Sequence, residues 1–183
     1  MILLMGIAGS GKGTQGKMLA DSHGLHLISM GDVLRMYVTG EQRERMLAGV
    51  LLADDEIIKI VDKVLASIPD HRTVLLDGFP RTITQAEWLL GQAKNDRFTV
   101  DMAIHLQASH DAVKMRLLGR ARIDDTDDAI EARFKEYEQS TMPLLKWLRD
   151  QGVAVHNINA EQSVDSVNKE LETILINFKF DAN

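Results

Sequence analysis

Residues 6–14 read GIAGSGKGT, directly after the apolar run Ile2–Met5 and at the start of a stretch with helical periodicity. Glycine permits the backbone conformations that turn several N–H groups inward, and the N-terminus of a helix adds its own partial positive charge. Lys12, within this segment, can reach the outer phosphates of a nucleotide. The segment therefore predicts a phosphate-binding loop between a first strand and a first helix. The alternative is a glycine-rich turn that binds no ligand.

The loop departs from the usual phosphate-loop pattern at one position. That pattern places Ser or Thr directly after the lysine, whereas here Gly13 follows Lys12 and Thr14 comes one residue later. The segment predicts phosphate binding, but by itself it does not identify a reaction.

Short apolar runs alternate with helical stretches along the chain. The runs that read as strands are 2–5, 25–28, 74–76, 103–106 and 153–158, and the helical stretches between and after them are 12–22, 57–68, 86–93, 112–118 and 164–175. This alternation predicts an α/β fold with a doubly wound, parallel, five-stranded sheet covered by helices on both faces. Gly24 and Pro69 are placed to end two of the helices.

The alternation is interrupted between the second and third strands. Two short helical stretches and no strand occupy this part of the sequence, which predicts a helical insertion at residues 29–57. No repeat or linker divides the chain, and we expect residues 1–183 to form a single domain. Ligands of open parallel sheets bind beyond the carboxyl ends of the strands, so the chemistry is expected just after the apolar runs.

Composition limits the partners. The chain has 183 residues, a formal net charge of -6 and no cysteine, which excludes a disulfide framework and disfavours a nucleic-acid partner. An acidic protein that binds an anion must gather its positive charge locally. We see no basic leader and no apolar stretch long enough to span a membrane, and we expect a soluble, cytoplasmic monomer.

Four segments resemble the adenylate kinase family, in the family's own order. They are residues 6–15 (GIAGSGKGTQ), with the family's Gly-Thr shift; residues 28–35 (ISMGDVLR), similar to the start of its AMP-binding insertion; residues 76–82 (LDGFPRT), with the Asp-Gly-Phe-Pro-Arg signature; and residues 116–125 (RLLGRARIDD) with Arg133, similar to its lid. Residues 159–165 are similar to the family's adenine-side loop. The resemblance spans nearly the whole chain and implies the P-loop kinase fold, with a helical NMP-binding insertion and a very short lid region at 116–133.

The resemblance also implies an activity and a set of site residues. The activity is reversible transfer of the γ-phosphoryl of ATP to AMP, giving two ADP, with Mg²⁺ accompanying ATP and Asp77 organising the metal. The implied catalytic residues are Lys12, Arg81, Arg120, Arg122 and Arg133. The implied ATP-binding residues are Gly9, Ser10, Gly11, Lys12, Gly13, Thr14, Arg116, Arg120 and Gln162. The implied AMP-binding residues are Met30, Arg35, Leu52, Gly78, Phe79, Arg81, Gln85, Arg122 and Arg133.

Each residue also has a simpler explanation when taken alone. A single arginine is better explained by a surface salt bridge, and Asp77 before a glycine could serve only to form a turn. Asp124 and Asp125 are expected to cap a helix or to pair with the lid arginines. The arginines are persuasive as a group, because two anionic substrates repel each other until cations lie between them.

Two positions depart from the family pattern. Met30 stands where the family typically has Thr near the acceptor adenine, and only Ala121 separates Arg120 from Arg122, which predicts a very small lid. Gln85 matches the family residue that accepts from the adenine 6-amino group and donates to N1. The alternatives are therefore a UMP or CMP kinase, which Met30 favours and Gln85 opposes, or a nucleotide-binding relative that has lost catalysis.

Overall fold

A computed structural model describes residues 1–48, 52–69, 72–95, 97–120, 122 and 125–178. The predictions that concern Ala121 and Asp124 lie outside the described residues. The strands are β1 Ile2–Met5, β2 His26–Ser29, β3 Val74–Asp77, β4 Met102–Gln107 and β5 Ala154–Asn159. The helices in the described part are α1 Lys12–His23, α2 Met30–Tyr37, α3 Gly40–Leu47, α4 Asp54–Ala66, α5 Ile83–Lys94, α6 His110–Arg120, α7 Asp127–Glu136, α8 Met142–Asp150 and α9 Val164–Asn177.

The five strands form one sheet in the order β2-β3-β1-β4-β5, and every neighbouring pair is parallel. The predicted α/β fold with a doubly wound parallel sheet is therefore confirmed. The central strand β1 pairs with both β3 and β4, so the segment that follows it lies between the two halves of the sheet. A phosphate loop at this point occupies the position where ligands of such sheets bind.

The side chains of β1 point alternately into two hydrophobic cores, one on each face of the sheet. Leu3 and Met5 pack into a core that includes residues of α4, α5 and α8. Ile2 and Leu4 point to the other face and pack with residues of α1 and α9. Burial on both faces explains why β1 is uniformly apolar instead of alternating with polar residues.

The predicted insertion contains α2 and α3, and its described residues include no strand. α4 then begins at Asp54, inside the predicted range 29–57. α1 ends where expected, at Gly24, which adopts the left-handed conformation (φ 64°) and donates its N–H to the carbonyl of Ala20. Within the described residues, no helix combines the length and the apolar character needed to cross a membrane.

The chain between α6 and β5 contains more structure than the sequence patterns indicated. α7 continues through a π-helical turn, Tyr137–Thr141, directly into α8. Single π-helical turns inside α-helices are frequent at functional sites. Tyr137 and Thr141 of this turn both line the cleft described next.

Candidate active site

A cleft of about 870 Å³ opens at the carboxyl ends of the strands. Its walls come from the loop after β1, from α2, from the segment after β3, and from α6 and α7. The basic side chains that line it are Lys12, Lys17, Arg35, Arg81, Arg116, Arg120, Arg122 and Arg133, and the acidic ones are Asp32, Asp77 and Glu136. Positive charge is thus concentrated in one cleft of a protein whose formal net charge is -6.

The loop after β1 has the backbone geometry of an anion-binding site. Gly6, Gly9 and Gly11 have φ of 139°, 87° and 101°, which favours glycine at all three positions. A Cβ at Gly6 would lie 2.6 Å from the carbonyl oxygen of Leu106, so the close approach to β4 also requires glycine. Gly11 precedes α1, whose N-terminus has no side-chain cap. The first N–H groups of α1 therefore depend on water or a bound ligand.

Lys12 lies at the centre of the cleft and is held by the loop itself. Its ammonium group donates to the carbonyl oxygens of Gly6 and Ile7, at 2.6 and 2.8 Å. Burial lowers the pKa of Lys12 to about 8; Asp77 raises it in part, and the charges of Arg81 and Arg120 lower it further. A bound polyphosphate would raise the pKa of Lys12 again, because an adjacent anion favours a protonated amine.

This coupling predicts a pH dependence for nucleotide binding. Below about pH 8 Lys12 is already charged in the free protein, so the Kd for ATP should change little between pH 7 and pH 8. Above pH 8 binding must take up a proton, and the Kd should rise by about tenfold per pH unit until the pKa of the bound state is reached. Calorimetry at pH 8.5 in two buffers of different ionisation enthalpy measures that uptake. Lys12→Arg, which stays charged, is the control, and a wild-type Kd that is flat up to pH 9.5 would contradict the prediction.

Asp77 ends β3 and faces the same cleft. It is buried, and its Oδ1 has no hydrogen-bond partner in the described structure; the same holds for the buried Oγ of Ser10 in the phosphate loop. Burial raises the pKa of the Asp77 carboxyl, against the opposing charges of Lys12 and Arg81. Buried polar atoms are normally paired, so these two oxygens indicate a place for a ligand or its water.

Two arginines line the side of the cleft next to α2 and β3. Arg35 donates to Asp32, three residues earlier on α2. The Nε of Arg81 donates to the carbonyl of Gly78 at 3.0 Å, which holds its side chain beside the end of β3. Burial lowers the pKa of Arg81, opposed by Asp77, while the charges of Arg133 and Arg35 lower it further. Burial and the neighbouring cations both disfavour the charged guanidinium of Arg81, so an anionic ligand beside it would be favourable.

Arg120 and Arg133, which belong to the predicted lid region, meet at one carboxylate. Asp125, whose side chain is 0% exposed, accepts from Nε and Nη2 of Arg120 at 2.9 and 2.7 Å and from Nη1 of Arg133 at 3.1 Å. Burial favours a raised pKa for the Asp125 carboxyl, but the hydrogen bonds and charges of these arginines outweigh it and hold the pKa below its usual range. The backbone N–H of Arg122 also donates to Asp125. The predicted pairing of Asp125 with the lid arginines is confirmed, and Thr126 caps α7.

The remaining wall lies between α6 and the loop after β5. Arg116 donates to the carbonyl of Ala160 at 2.7 Å, and Gln162 donates to Asn159 and Glu170. Gln15, buried in α1, donates to the carbonyl of Val164 and accepts from Asn168, which ties this loop to the phosphate-loop helix.

The predicted acceptor-base residues are placed as follows. Met30, Leu52 and Gln85 are buried and line the cleft. Phe79 is buried too, but it packs edge to face against Trp88, with ring centroids 6.1 Å apart, and does not line the cleft. Its contact with AMP stays a prediction.

Several residues that line or support the cleft were not among the predicted site residues. Asp32 could have been found from its spacing to Arg35, since residues three apart on a helix meet. Tyr137, Thr141 and Asp54 carry no such local signal. Tyr137 hydrogen-bonds the buried His105 of β4, 32 positions earlier in the chain.

A phosphate loop at the central strand, facing a cleft that gathers cations from separate segments, is the architecture of a P-loop kinase. Comparison with known proteins narrows this class. The family model described as "Adenylate kinase" matches residues 4–153. The adenylate kinase of Synechococcus sp. (strain WH7803) is 34% identical over 95% of this chain and 97% of its own. Those of Corynebacterium urealyticum (strain ATCC 43042 / DSM 7109) and Bacteroides thetaiotaomicron (strain ATCC 29148) are 35% and 33% identical, over 92% and 91% of this chain and 94% and 93% of their own. The chain belongs to the adenylate kinase family.

Proposed function

We propose that the protein transfers the γ-phosphoryl group of ATP to AMP, reversibly, to give two ADP. The observation that carries this proposal is the convergence of Lys12 and six arginines from separate segments on one cleft built around a phosphate loop. Two polyanionic substrates can be held next to each other only where such charge is available.

The reaction makes modest chemical demands on the protein. An ionised phosphate oxygen of AMP attacks the γ-phosphorus, the bond to the β–γ bridging oxygen breaks, and ADP leaves with that electron pair. No proton has to be removed from the nucleophile, so no general base is required. Positioning the two phosphates in line and neutralising the charge of the transferring group remain as the tasks of the protein.

We assign the donor and acceptor sites to opposite sides of Lys12. The phosphate loop, Arg116 and the loop after β5 would hold ATP, with Gln162 on its base side. Arg35 and Arg81 would hold the phosphate of AMP, with Met30, Leu52, Gly78 and Gln85 nearby. Arg120 would lie on the ATP side of the transferring group, and Arg122 and Arg133 would lie next to that group. Asp125, which now pairs with Arg120 and Arg133, keeps these guanidinium groups aligned before the substrates arrive.

Magnesium fits the oxygens that this cleft presents. Mg²⁺ prefers oxygen ligands and keeps several of its waters, and the unpartnered oxygens of Asp77 and Ser10 are suitable neighbours for such an ion. Among the described residues no three His, Asp or Glu side chains are close enough to form a metal cage. We infer that Asp77 would hold the ion through water while ATP supplies other ligands. The bound ion would neutralise charge on the β- and γ-phosphates.

We infer the cellular location and the oligomeric state from the composition of the chain and from the type of cleft. A cysteine-free, acidic chain with a nucleotide kinase cleft suits a cytoplasmic monomer acting on ATP, AMP and ADP, and gel filtration with light scattering tests the monomer.

The function is tested with purified protein, ATP, Mg²⁺ and a panel of nucleoside monophosphates. Within the described structure, the Gln85 amide accepts from the backbone N–H of Arg81 through one lone pair and donates one N–H to Asp54. AMP should be the preferred acceptor, because the remaining lone pair and N–H match the 6-amino group and N1 of adenine. GMP and UMP present the reverse order of donor and acceptor. That mismatch costs about 1–3 kcal/mol, or roughly one to two orders of magnitude in kcat/KM.

CMP presents the same order of donor and acceptor as AMP, so its rejection would depend on the size of the pocket around Met30. Gln85→Ala should bring AMP and GMP closer together, and Gln92→Ala, on the same helix but outside the cleft lining, is the control. A wild type that prefers UMP or CMP would replace this proposal with a pyrimidine nucleotide kinase. Omission of Mg²⁺ from the same assay should remove most of the activity.

A further inference from the structure

Asp54, the first residue of α4, connects α4 to the beginning of α5. Its Oδ1 accepts a hydrogen bond from Oγ1 of Thr82 at 2.9 Å and from Nε2 of Gln85 at 2.8 Å. Thr82 caps α5 and accepts from the backbone N–H of Gln85. Asp54 does not line the cleft, and among the described residues its side-chain contacts reach the cleft lining through Gln85.

The other end of the Gln85 amide is held as well. Its Oε1 accepts from the backbone N–H of Arg81 at 2.8 Å. A backbone N–H can only donate and a carboxylate can only accept, so the two partners together determine which end of the amide is oxygen and which is nitrogen. Gln85 is 2% exposed and lines the cleft. Within the part of the chain that the structure describes, one lone pair and one N–H of this fixed amide remain for a ligand.

We propose that Asp54 is a positioning residue that sets the base selectivity of the acceptor site by fixing the orientation of the Gln85 amide. This rests on the proposed function, in which Gln85 reads the base of AMP. In the observed orientation the amide offers one fixed order of donor and acceptor. Adenine and hypoxanthine have the same ring size, but adenine presents a donor at position 6 and an acceptor at N1, whereas hypoxanthine presents an acceptor and then a donor. Reversal of the Gln85 amide would therefore favour hypoxanthine over adenine.

Inosine monophosphate is therefore the sharpest probe, because it differs from AMP only at these two positions. The measurement is kcat/KM for AMP and for inosine monophosphate in the wild type, Asp54→Ala and Gln85→Ala. We expect the wild type to prefer AMP by roughly one to two orders of magnitude in kcat/KM. Asp54→Ala should lower the ratio of the two kcat/KM values about tenfold, which is the effect expected from the loss of one hydrogen bond to a charged group. The loss should appear mainly in the KM for AMP, with the KM for ATP unchanged.

Asp55→Ala is the matched control. Asp55 lies next to Asp54 in the first turn of α4, its side chain is 70% exposed, and it pairs only weakly with Lys59 at 3.4 Å. Loss of helix stabilisation would affect both variants, whereas loss of base selectivity should affect Asp54→Ala alone. Asp54→Asn conserves the volume and should lower the ratio by a smaller factor, because a neutral hydrogen bond is weaker than a charged one.

The outcomes separate the two levels of the proposal. A folded Asp54→Ala with the wild-type ratio would overturn the positioning role, and if that variant does not fold, an unchanged ratio in Asp54→Asn would overturn it instead. A wild type that does not distinguish the two nucleotides, or a Gln85→Ala variant that keeps the full ratio, would contradict base reading by Gln85 itself.

Discussion

Lys12→Met should lower the turnover of ATP and AMP by a factor on the order of 10²–10³ while the protein stays folded. Lys12 is part of the phosphate loop and donates to the carbonyls of Gly6 and Ile7, and methionine conserves most of its length without the charge. The fold should tolerate the change, because partial removal from solvent already disfavours the charged ammonium group and lowers its pKa to about 8. Steady-state turnover and circular dichroism, measured together, test both halves of this prediction.

Lys63→Met is the control for Lys12→Met. Lys63 is exposed on α4 and does not line the cleft, so its loss should leave turnover unchanged. A folded Lys12→Met protein with near-normal turnover would remove Lys12 from the reaction and leave the phosphate loop as a binding element only.

Arg81→Ala and Arg120→Ala should each reduce kcat/KM by a factor on the order of 10²–10³, but for different substrates. Arg81 is fixed beside the end of β3 by its hydrogen bond to Gly78, so its loss should mainly raise the KM for AMP. Arg120 ends α6 and is aligned by Asp125, so its loss should mainly impair the use of ATP. Kinetics with each substrate varied in turn would show the difference.

Some overlap between the two arginine variants is expected, because cations that act on one transition state are not additive. Arg43→Ala provides the baseline, since Arg43 is exposed on α3 and lies outside the cleft lining. Identical substrate profiles for Arg81→Ala and Arg120→Ala would show that the two-site assignment is wrong.

The fold was largely predictable because three of its strands, β1, β3 and β4, are short runs of mostly buried residues. The run at 74–76, for example, became β3 with only Asp77 added, and Gly24 ended α1 as its conformational freedom suggested. α8 was missed, although Leu144, Leu145 and Leu148 are buried on one face at helical spacing. The π-helical turn before it has no comparable sequence signature.

The site was predictable where residues act through a local motif. Lys12 and Asp77 lie in segments whose spacing and position at strand ends indicated their place in the cleft. The contact between Asp54 and Gln85 joins residues 31 positions apart, and it depends on how α4 packs against α5. The contact between His105 and Tyr137 depends in the same way on the path of the chain after α7. Such pairs follow from tertiary packing, which the spacing of residues along the sequence does not determine.

Transfer of labelled phosphate tests the central claim most directly. The protein is incubated with AMP, Mg²⁺ and ATP labelled at the γ-phosphate, and the products are separated before equilibrium is reached. The label should appear in the β-phosphate of ADP, with two ADP formed for each ATP consumed. Label released as inorganic phosphate would identify an ATPase, and label that stays in ATP despite nucleotide binding would identify a binding protein; either result would contradict the proposed phosphotransferase.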